Sequence, residues 1–130
     1  MGRKKILIVD DDDDFIESTK VVLESGGYSV SSASTKEEGL ELIKSSCPDL
    51  IILDVMMEKM SDGFDFSRKI KSDEKYKMIP IFMVTSVGKT TGFRYSAESG
   101  DDAWLPINDY AEKPLNSEDL LQRVKKLLSV

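Results

Sequence analysis

The chain has 130 residues, of which 40% are hydrophobic and 32% are charged, which is normal for one folded domain with a single core. Its formal net charge of −6 argues against binding a nucleic-acid backbone or an anionic membrane, because both need clustered Lys and Arg. No apolar run approaches the roughly 20 residues of a membrane span, and the short run behind the basic N-terminus does not have the length of a signal peptide.

The first part of the chain predicts a strand, a helix and a second strand. The continuous apolar run at 6–9 is typical of a strand buried on both faces, as in a parallel sheet. Apolar side chains then recur at helical spacing from Phe15 to Leu23, and the glycine pair at 26–27 ends that helix as C-cap residues do. Residues 28–31 alternate in the manner of a strand.

The middle of the chain repeats this alternation. A second helix is predicted from an N-cap at Ser34 or Thr35 to just before the Cys-Pro pair at 47–48, since the residue before a proline disfavours the helical conformation. The apolar run at 50–53 indicates a third strand. A loop follows that strand, and a third helix is expected at about 64–72.

Two more strands and a final helix are predicted in the last part of the chain. Pro80 interrupts the apolar run at 79–84 and fits the start of a strand rather than its middle. The segment 86–109 is loop-like, and a short fifth strand is expected at 109–112. Leucine and valine side chains at 117–129 predict an amphipathic helix behind an Asn or Ser cap.

Strands and helices therefore alternate in the order β-α-β-α-β-α-β, followed by a short strand and a final helix. This alternation implies right-handed crossovers and a parallel sheet covered by helices on both faces. We expect an α/β fold in which residues 1–130 form a single domain.

The single cysteine of the chain bears on its location in the cell. Cys47 cannot form an internal disulfide, which suits a reducing cytoplasm. We therefore expect a cytoplasmic protein in which Cys47 is an inert, partly buried thiol.

Reactive side chains follow the predicted strands at their carboxyl ends. Asp10 and Asp11 end the first strand, Asp54 the third, Thr85 the fourth, and Lys113 the fifth. Parallel strands bring these ends to one edge of the sheet. Carboxylates suit Mg²⁺, while an ammonium and a hydroxyl can bind phosphoryl oxygens and leave one carboxylate free to attack phosphorus. The set predicts phosphoryl transfer to an aspartate.

The chain resembles the receiver domain of the two-component response-regulator family over nearly its full length. The matching segments are ILIVDD at 6–11, DLIILDVMM at 49–57, DGF at 62–64, VTS at 84–86 and YAEKP at 110–114. Each segment alone is a weak signal, but in this order and at strand ends they are highly specific. The resemblance implies a flavodoxin-like, doubly wound sheet of five parallel strands in the order 2-1-3-4-5, with helices on both faces.

The resemblance also implies how the carboxylates divide their roles. Asp54 would be the phosphoacceptor, and Asp11 and Asp54 would hold Mg²⁺ together with the backbone carbonyl of Met56. Asp10 would act on the ion through a bound water. The aspartates at 12–14 fit a helix N-cap and first turn better than a metal site.

Three further residues receive roles from the same resemblance. Thr85 would bind one phosphoryl oxygen, Lys113 would pair with another, and Tyr110 would be the switch aromatic. The peptide bond from Lys113 to Pro114 is expected to be cis. Ordinary alternatives remain, since Thr85 also suits a strand, Lys113 could lie at the surface, and Tyr110 could be core packing.

Two features of this chain depart from, or refine, the family pattern. The interval 85–113 is several residues longer than usual, so the mode of partner binding or dimer formation cannot be carried over. Met56 and Val87 stand two residues beyond the phosphoacceptor and the threonine. Since neither can orient a water molecule by hydrogen bonding, we hypothesise slow autodephosphorylation.

The expected function is that of a stand-alone receiver with no output domain. The chain contains no histidine, so the phosphoryl donor must be a separate histidine kinase or phosphotransfer protein, or a small acyl phosphate. Phosphorylation of Asp54 would switch the binding of an unidentified output protein. We expect a signalling phosphoacceptor rather than an enzyme, with no nucleic-acid or membrane partner, and homodimer formation stays open.

Two other functions stay open from the sequence. A small Mg²⁺-dependent phosphohydrolase would also use an aspartyl phosphate, but enzymes similar to haloacid dehalogenases need a second carboxylate where this chain has Met56. A non-switching scaffold would keep the receiver fold without its chemistry, although the complete set of acidic, threonine and lysine residues argues against it.

Overall fold

The computed structural model describes residues 3–54, 66, 68–85, 109–112 and 116–128, and it describes only the backbone of residues 85, 109, 110 and 112. Several expectations rest on residues outside these ranges, among them the loop after the third strand, most of the segment 86–109, and the peptide bond from Lys113 to Pro114.

Five strands and three helices with defined bounds lie within these residues. They are β1 (Lys5–Val9), α1 (Asp13–Ser25), β2 (Ser29–Ala33), α2 (Lys36–Ser46), β3 (Leu50–Asp54), β4 (Ile81–Thr85), β5 (Asp109–Glu112) and the C-terminal helix (Ser117–Leu128). Residues 66 and 68–71 are also helical and lie inside the helix predicted at about 64–72. The five predicted strands and the first, second and last helices are confirmed, with bounds that shift by no more than two residues.

The five strands form one parallel sheet in the order β2-β1-β3-β4-β5. This is the flavodoxin-like order that the resemblance implied, and it is confirmed. The register pairs Val9 of β1 with Leu53 of β3, and it pairs Thr85 of β4 with Glu112 of β5. The carboxyl ends of these strands therefore lie at one edge of the sheet.

Alternate side chains of the sheet enter two separate cores. Ile8 and Ile52 belong to the core that α1 and the C-terminal helix cover, and Leu7 and Leu53 belong to the core that α2 covers. All four are 0% exposed, as the continuous apolar runs predict for a sheet covered on both faces. Each such side chain contributes about 1.5–3 kcal/mol to folding.

Each of the three helices with defined bounds begins at a polar side chain that accepts a hydrogen bond from a backbone N–H. Asp12 Oδ1 accepts one from Phe15 at 3.2 Å, and Thr35 Oγ1 accepts one from Glu38 at 3.1 Å. Asn116 caps the C-terminal helix in the same way through two backbone N–H groups. The second helix therefore takes Thr35 as its N-cap, one of the two predicted positions.

The first helix ends in a Schellman motif at the predicted glycine pair. The N–H of Tyr28 donates to the carbonyl of Leu23 at 3.2 Å, and the N–H of Gly27 donates to that of Glu24 at 3.0 Å. Gly27 has a φ of 95°, which favours glycine because a Cβ is strained in the left-handed region.

The second helix ends at Cys47, which has a left-handed φ of 50°. Its side chain is exposed, while the following Pro48 is buried. The expectation of a partly buried thiol is therefore wrong. Pro48 fills the buried position at this turn, which leaves Cys47 on the surface.

The connection into β4 is fixed by backbone and side-chain hydrogen bonds. Pro80 immediately precedes β4, as predicted, and its carbonyl accepts a hydrogen bond from the N–H of Ile51 at 3.0 Å. Lys71 Nζ donates to the carbonyls of Ile79 at 2.8 Å and Lys77 at 3.3 Å. Burial lowers the pKa of Lys71 below its usual 10.5, so the ammonium forms these bonds at some cost in hydration.

Candidate functional site

The turn between β1 and α1 is shaped by the acidic run. Asp10 continues the β1 ladder, because its N–H donates to the carbonyl of Ala33 at 3.0 Å. Its side chain is 0% exposed, and Oδ1 accepts a hydrogen bond from the N–H of Asp12 at 2.9 Å. Asp12 caps α1, and Asp13 and Asp14 occupy its first turn. The prediction that these last three aspartates begin a helix is confirmed.

Three carboxylates meet at the carboxyl edge of the sheet. One ligand oxygen from each of Asp10, Asp11 and Asp54 lies within 4.8 Å of the other two. Asp54 is 5% exposed and Asp11 is exposed. Asp10 and Asp54 follow Val9 and Leu53, which pair in register, so they end neighbouring strands on the same face of the sheet. The structure thus brings three of the predicted site residues together.

The charges of this group favour a cation. Asp10 and Asp54 have lost almost all contact with water, and buried anions need a compensating charge or hydrogen-bond donors. Carboxylate oxygens are ligands that Mg²⁺ prefers, and this ion commonly binds through one or two carboxylates while it keeps several waters. The exposed Asp11 leaves one side of the group accessible. The three residues therefore fit a hard divalent cation.

Strands β4 and β5 bring further predicted positions to the same edge. Thr85 is the last residue of β4, and its backbone pairs with Glu112, the residue before Lys113. Tyr110 lies in β5, two residues before Glu112. The side chains of Thr85 and Tyr110, and all atoms of Met56 and Lys113, lie outside what the structure describes.

A close contact behind the acidic group was not predicted. A Cβ added to Gly39 of α2 would lie 3.0 Å from Cγ2 of Val9 and 3.3 Å from Cε2 of Phe66. Glycine therefore lets α2 approach the end of β1, directly before Asp10. A glycine inside a helical pattern often has a packing reason, but the sequence does not tell which strand it meets.

A doubly wound parallel sheet with carboxylates at its carboxyl edge defines a class of α/β domains that bind ligands at that edge. Comparisons with known proteins define the class more narrowly. The sequence model of the family described as "Response regulator receiver domain" matches residues 6–125. The chain belongs to this family, whose members accept phosphoryl groups in two-component signalling.

Relatives with longer chains share this domain. The DNA-binding dual master transcriptional regulator RpaA of Synechocystis sp. is 36% identical over 124 residues, which are 95% of this chain and 48% of RpaA. The phosphate regulon transcriptional regulatory protein PhoB of Pseudomonas aeruginosa is 36% identical over 128 residues, which are 98% of this chain and 53% of PhoB. The chain therefore spans about half the length of these regulators.

Solved structures of similar size share the fold. A CheY-like response regulator receiver domain protein from Methanospirillum hungatei superposes with a TM-score of 0.81 at 31% identity, covering 98% of this chain and 95% of that one. The chemotaxis response regulator CheY4 of Vibrio cholerae gives a TM-score of 0.81 at 29% identity, covering 97% and 99%. Within the described ranges, no helix has the length and apolar content needed to cross a membrane.

Proposed function

We propose that this protein is a stand-alone receiver that accepts a phosphoryl group on Asp54 from a partner histidine kinase or phosphotransfer protein, in a reaction that depends on Mg²⁺. One observation carries the proposal. Asp54 ends β3, is 5% exposed, and has a carboxylate oxygen within 4.8 Å of those of Asp10 and Asp11. A carboxylate in this position is shielded from bulk water and lies beside the groups that would hold a cation.

The proposed reaction forms one bond and breaks one. A carboxylate oxygen of Asp54 attacks phosphorus, and the P–N bond of the donor phosphohistidine breaks. The electron pair of that bond returns to the imidazole, which takes up a proton from solvent, and the product is an acyl phosphate. Positioning and charge neutralisation supply most of the catalysis in such transfers.

The proposed Mg²⁺ site uses the carboxylates in different ways. Asp11 and Asp54 would bind the ion directly with the backbone carbonyl of Met56, and the bound ion would neutralise charge on the phosphoryl oxygens. Asp10 would act through a bound water. The hydrogen bond from the N–H of Asp12 to Asp10 Oδ1 supports this indirect role, because one oxygen of that carboxylate already holds the turn.

The proposed switch uses β4 and β5. We assign Thr85 and Lys113 to the phosphoryl oxygens and Tyr110 to the response, supported by the pairing of Thr85 with Glu112 at the end of the sheet. Phosphorylation would draw Thr85 inward and shift a pre-existing equilibrium at the surface around these strands. An output protein that binds one of the two states would then gain or lose affinity.

We further propose that the receiver acts in the cytoplasm and does not itself bind nucleic acid. The net charge of −6 supports the second part, because nucleic-acid binding needs clustered Lys and Arg. The single cysteine supports the first part, because it suits a reducing compartment. Fluorescence anisotropy with duplex DNA at low salt should show no binding, with or without phosphorylation.

Intact mass spectrometry after incubation with acetyl phosphate and Mg²⁺ tests the chemistry. The protein should gain one phosphoryl group, and both EDTA and Asp54→Asn should abolish the gain. Asp49→Asn is the matched control, because Asp49 precedes the other end of β3 and accepts a hydrogen bond from the N–H of Lys5 at 2.8 Å. A gain that persists in Asp54→Asn would contradict the assignment.

Two further measurements separate the alternative functions. Turnover of p-nitrophenyl phosphate would favour a phosphohydrolase, and we expect none. Phosphorylation should change the amide chemical shifts of β4 and β5, whereas an unchanged spectrum in a fully phosphorylated sample would favour a non-switching scaffold.

A further inference from the structure

The strand β2 forms an outer edge of the sheet, since among the described residues it pairs with β1 alone. The N–H of Ser29 donates a hydrogen bond to Lys4 at 2.9 Å, and the carbonyl of Ala33 accepts one from Asp10 at 3.0 Å. In a parallel ladder, each residue directs its N–H and its C=O to the same neighbouring strand, and successive residues alternate between the two sides. The odd-numbered residues of β2 therefore face β1.

The even-numbered residues of β2, Val30 and Ser32, consequently direct their N–H and C=O groups to the outer edge. Both residues are partly exposed. The strand reads SVSSA, so it lacks the charged side chains and proline with which edge strands commonly prevent pairing with another chain. The edge is therefore able to accept a further strand.

A groove of about 500 Å³ lies beside this edge. Its lining residues come from α1, from the end of β2 and from the start of α2: Asp13, Ile16, Glu17, Lys20, Ser32, Ser34 and Glu38. Val30 packs on the α1 side of the sheet, as does Ser32 two residues later. A strand added to β2 would therefore place alternate side chains over the groove.

The charges of the groove select the chemistry of an added strand. Among the described residues that line it, three carboxylates, those of Asp13, Glu17 and Glu38, stand against one ammonium, that of Lys20. Two copies of this chain paired through β2 would bring two such acidic grooves together, so charge repulsion disfavours a second copy. A strand with basic side chains on the α1 side would instead be attracted.

We propose that the β2 edge and its groove dock an extended, basic segment of a partner protein as a sixth strand. Backbone hydrogen bonds to Val30 and Ser32 would supply the pairing, and the groove would select the side chains. Glu38 already accepts a hydrogen bond from the N–H of Ser34 at 2.9 Å. The exposed Asp13 and Glu17 are therefore the first partners for a lysine or arginine.

The probe is an acetylated and amidated seven-residue peptide in which lysine alternates with valine or threonine, titrated into isotope-labelled protein. Binding should slow amide hydrogen exchange at Val30 and Ser32 by about fivefold or more at saturation and leave Ser31 unchanged. Glu17→Gln should weaken binding by about two- to fivefold, and added salt should weaken it further. Glu24→Gln is the matched control, since Glu24 lies on the same helix but does not line the groove.

Two variants of the probe decide between edge pairing and simple charge attraction. Two peptides are N-methylated at alternate residues, one at the odd-numbered and one at the even-numbered positions, so that each loses the N–H donors along one side of the strand. The peptide that loses the donors facing β2 should bind at least tenfold more weakly than the parent peptide. A peptide with glutamate in place of lysine should not bind. The proposal fails if both N-methylated peptides bind as tightly as the parent, or if the glutamate peptide binds equally well.

Two results in the protein itself would also overturn the proposal. Exchange at Val30 and Ser32 that slows with protein concentration alone would show that a second copy covers the edge. Ser32→Pro removes an outward N–H and no bond to β1, so it should abolish binding while the circular dichroism spectrum stays native. A folded Ser32→Pro protein that binds normally would refute the pairing, and the N-methylated peptides test it independently of this variant's folding.

Discussion

Replacing Asp54 with asparagine should stabilise the protein when no metal is bound. The ligand oxygens of Asp10, Asp11 and Asp54 lie within 4.8 Å of one another, and two unit charges at that distance repel by about 3.5 kcal/mol at an effective dielectric constant of 20. Water at the exposed Asp11 reduces this repulsion. We therefore expect the free energy of unfolding to rise by about 1–3 kcal/mol, because asparagine keeps the shape and removes the charge.

Urea denaturation in EDTA and in excess Mg²⁺ measures this effect. A bound cation stabilises only the protein that retains the complete group, so Mg²⁺ should raise the stability of the wild type more than that of the variant. The advantage of Asp54→Asn should then shrink or reverse. Asp13→Asn is the control: Asp13 lies in the first turn of α1 outside the group. It should cost about 0.3–1 kcal/mol through the helix dipole, equally in both buffers. A variant at Asp54 that is less stable than the wild type in EDTA would refute the reasoning.

Further predictions concern the helix ends, the buried lysine and the phosphoryl lifetime. Gly27→Ala should lower the free energy of unfolding in urea by about 1 kcal/mol, because the φ of Gly27 is 95° and not because of a clash, since nothing lies within 4 Å of an added Cβ. An unchanged urea midpoint would count against a strained backbone at this residue. Cys47→Gly should raise the free energy of unfolding by about 0.5 kcal/mol, because glycine relieves the strain of the left-handed φ of 50° and its greater chain entropy offsets part of this gain. Cys47→Ser should leave the free energy of unfolding unchanged. Burial lowers the pKa of Lys71 below 10.5, so the unfolded chain binds more protons between the two values and stability rises with pH there. The free energy of unfolding of the wild type should therefore rise relative to that of Lys71→Met as the pH increases towards 10.5. If the two proteins give parallel curves of unfolding free energy against pH, this linkage is contradicted. Phosphorylated protein in Mg²⁺ should decay slowly, since Met56 and Val87 cannot orient water, and a lifetime of seconds by intact mass would exclude this.

The central strands could be predicted from the sequence because their signal is local. The runs at 6–9 and 50–53 are apolar at every position, and only a sheet covered on both faces buries such runs completely. β2 was harder to delimit, since SVSSA contains small polar residues that suit an edge strand or a turn equally well. Its extent depends on pairing with β1, which is a long-range contact.

The carboxylates of the site could be predicted from the sequence, but the packing contacts and the helix end near them could not. Asp10, Asp11 and Asp54 come together because each follows a strand whose place in the sheet the alternation implied. Gly39 gave no comparable signal, because its contact with Val9 depends on how closely two elements approach. Cys47 was misjudged because its left-handed conformation depends on how α2 ends before a buried proline.

The backbone, rather than acidity alone, decides what each aspartate of the run does. Asp10 remains hydrogen-bonded to β2, so its side chain follows the alternation of β1 into the protein. The chain then leaves the sheet, and Asp11 is exposed beside the buried carboxylates. Asp12 has an extended φ of −94° and caps α1, which turns its carboxylate to the helix. A shift of this turn by one residue would put a different pair of aspartates into the group, so the hydrogen bond from Asp12 to Asp10 sets the register of the site as well as the start of the helix.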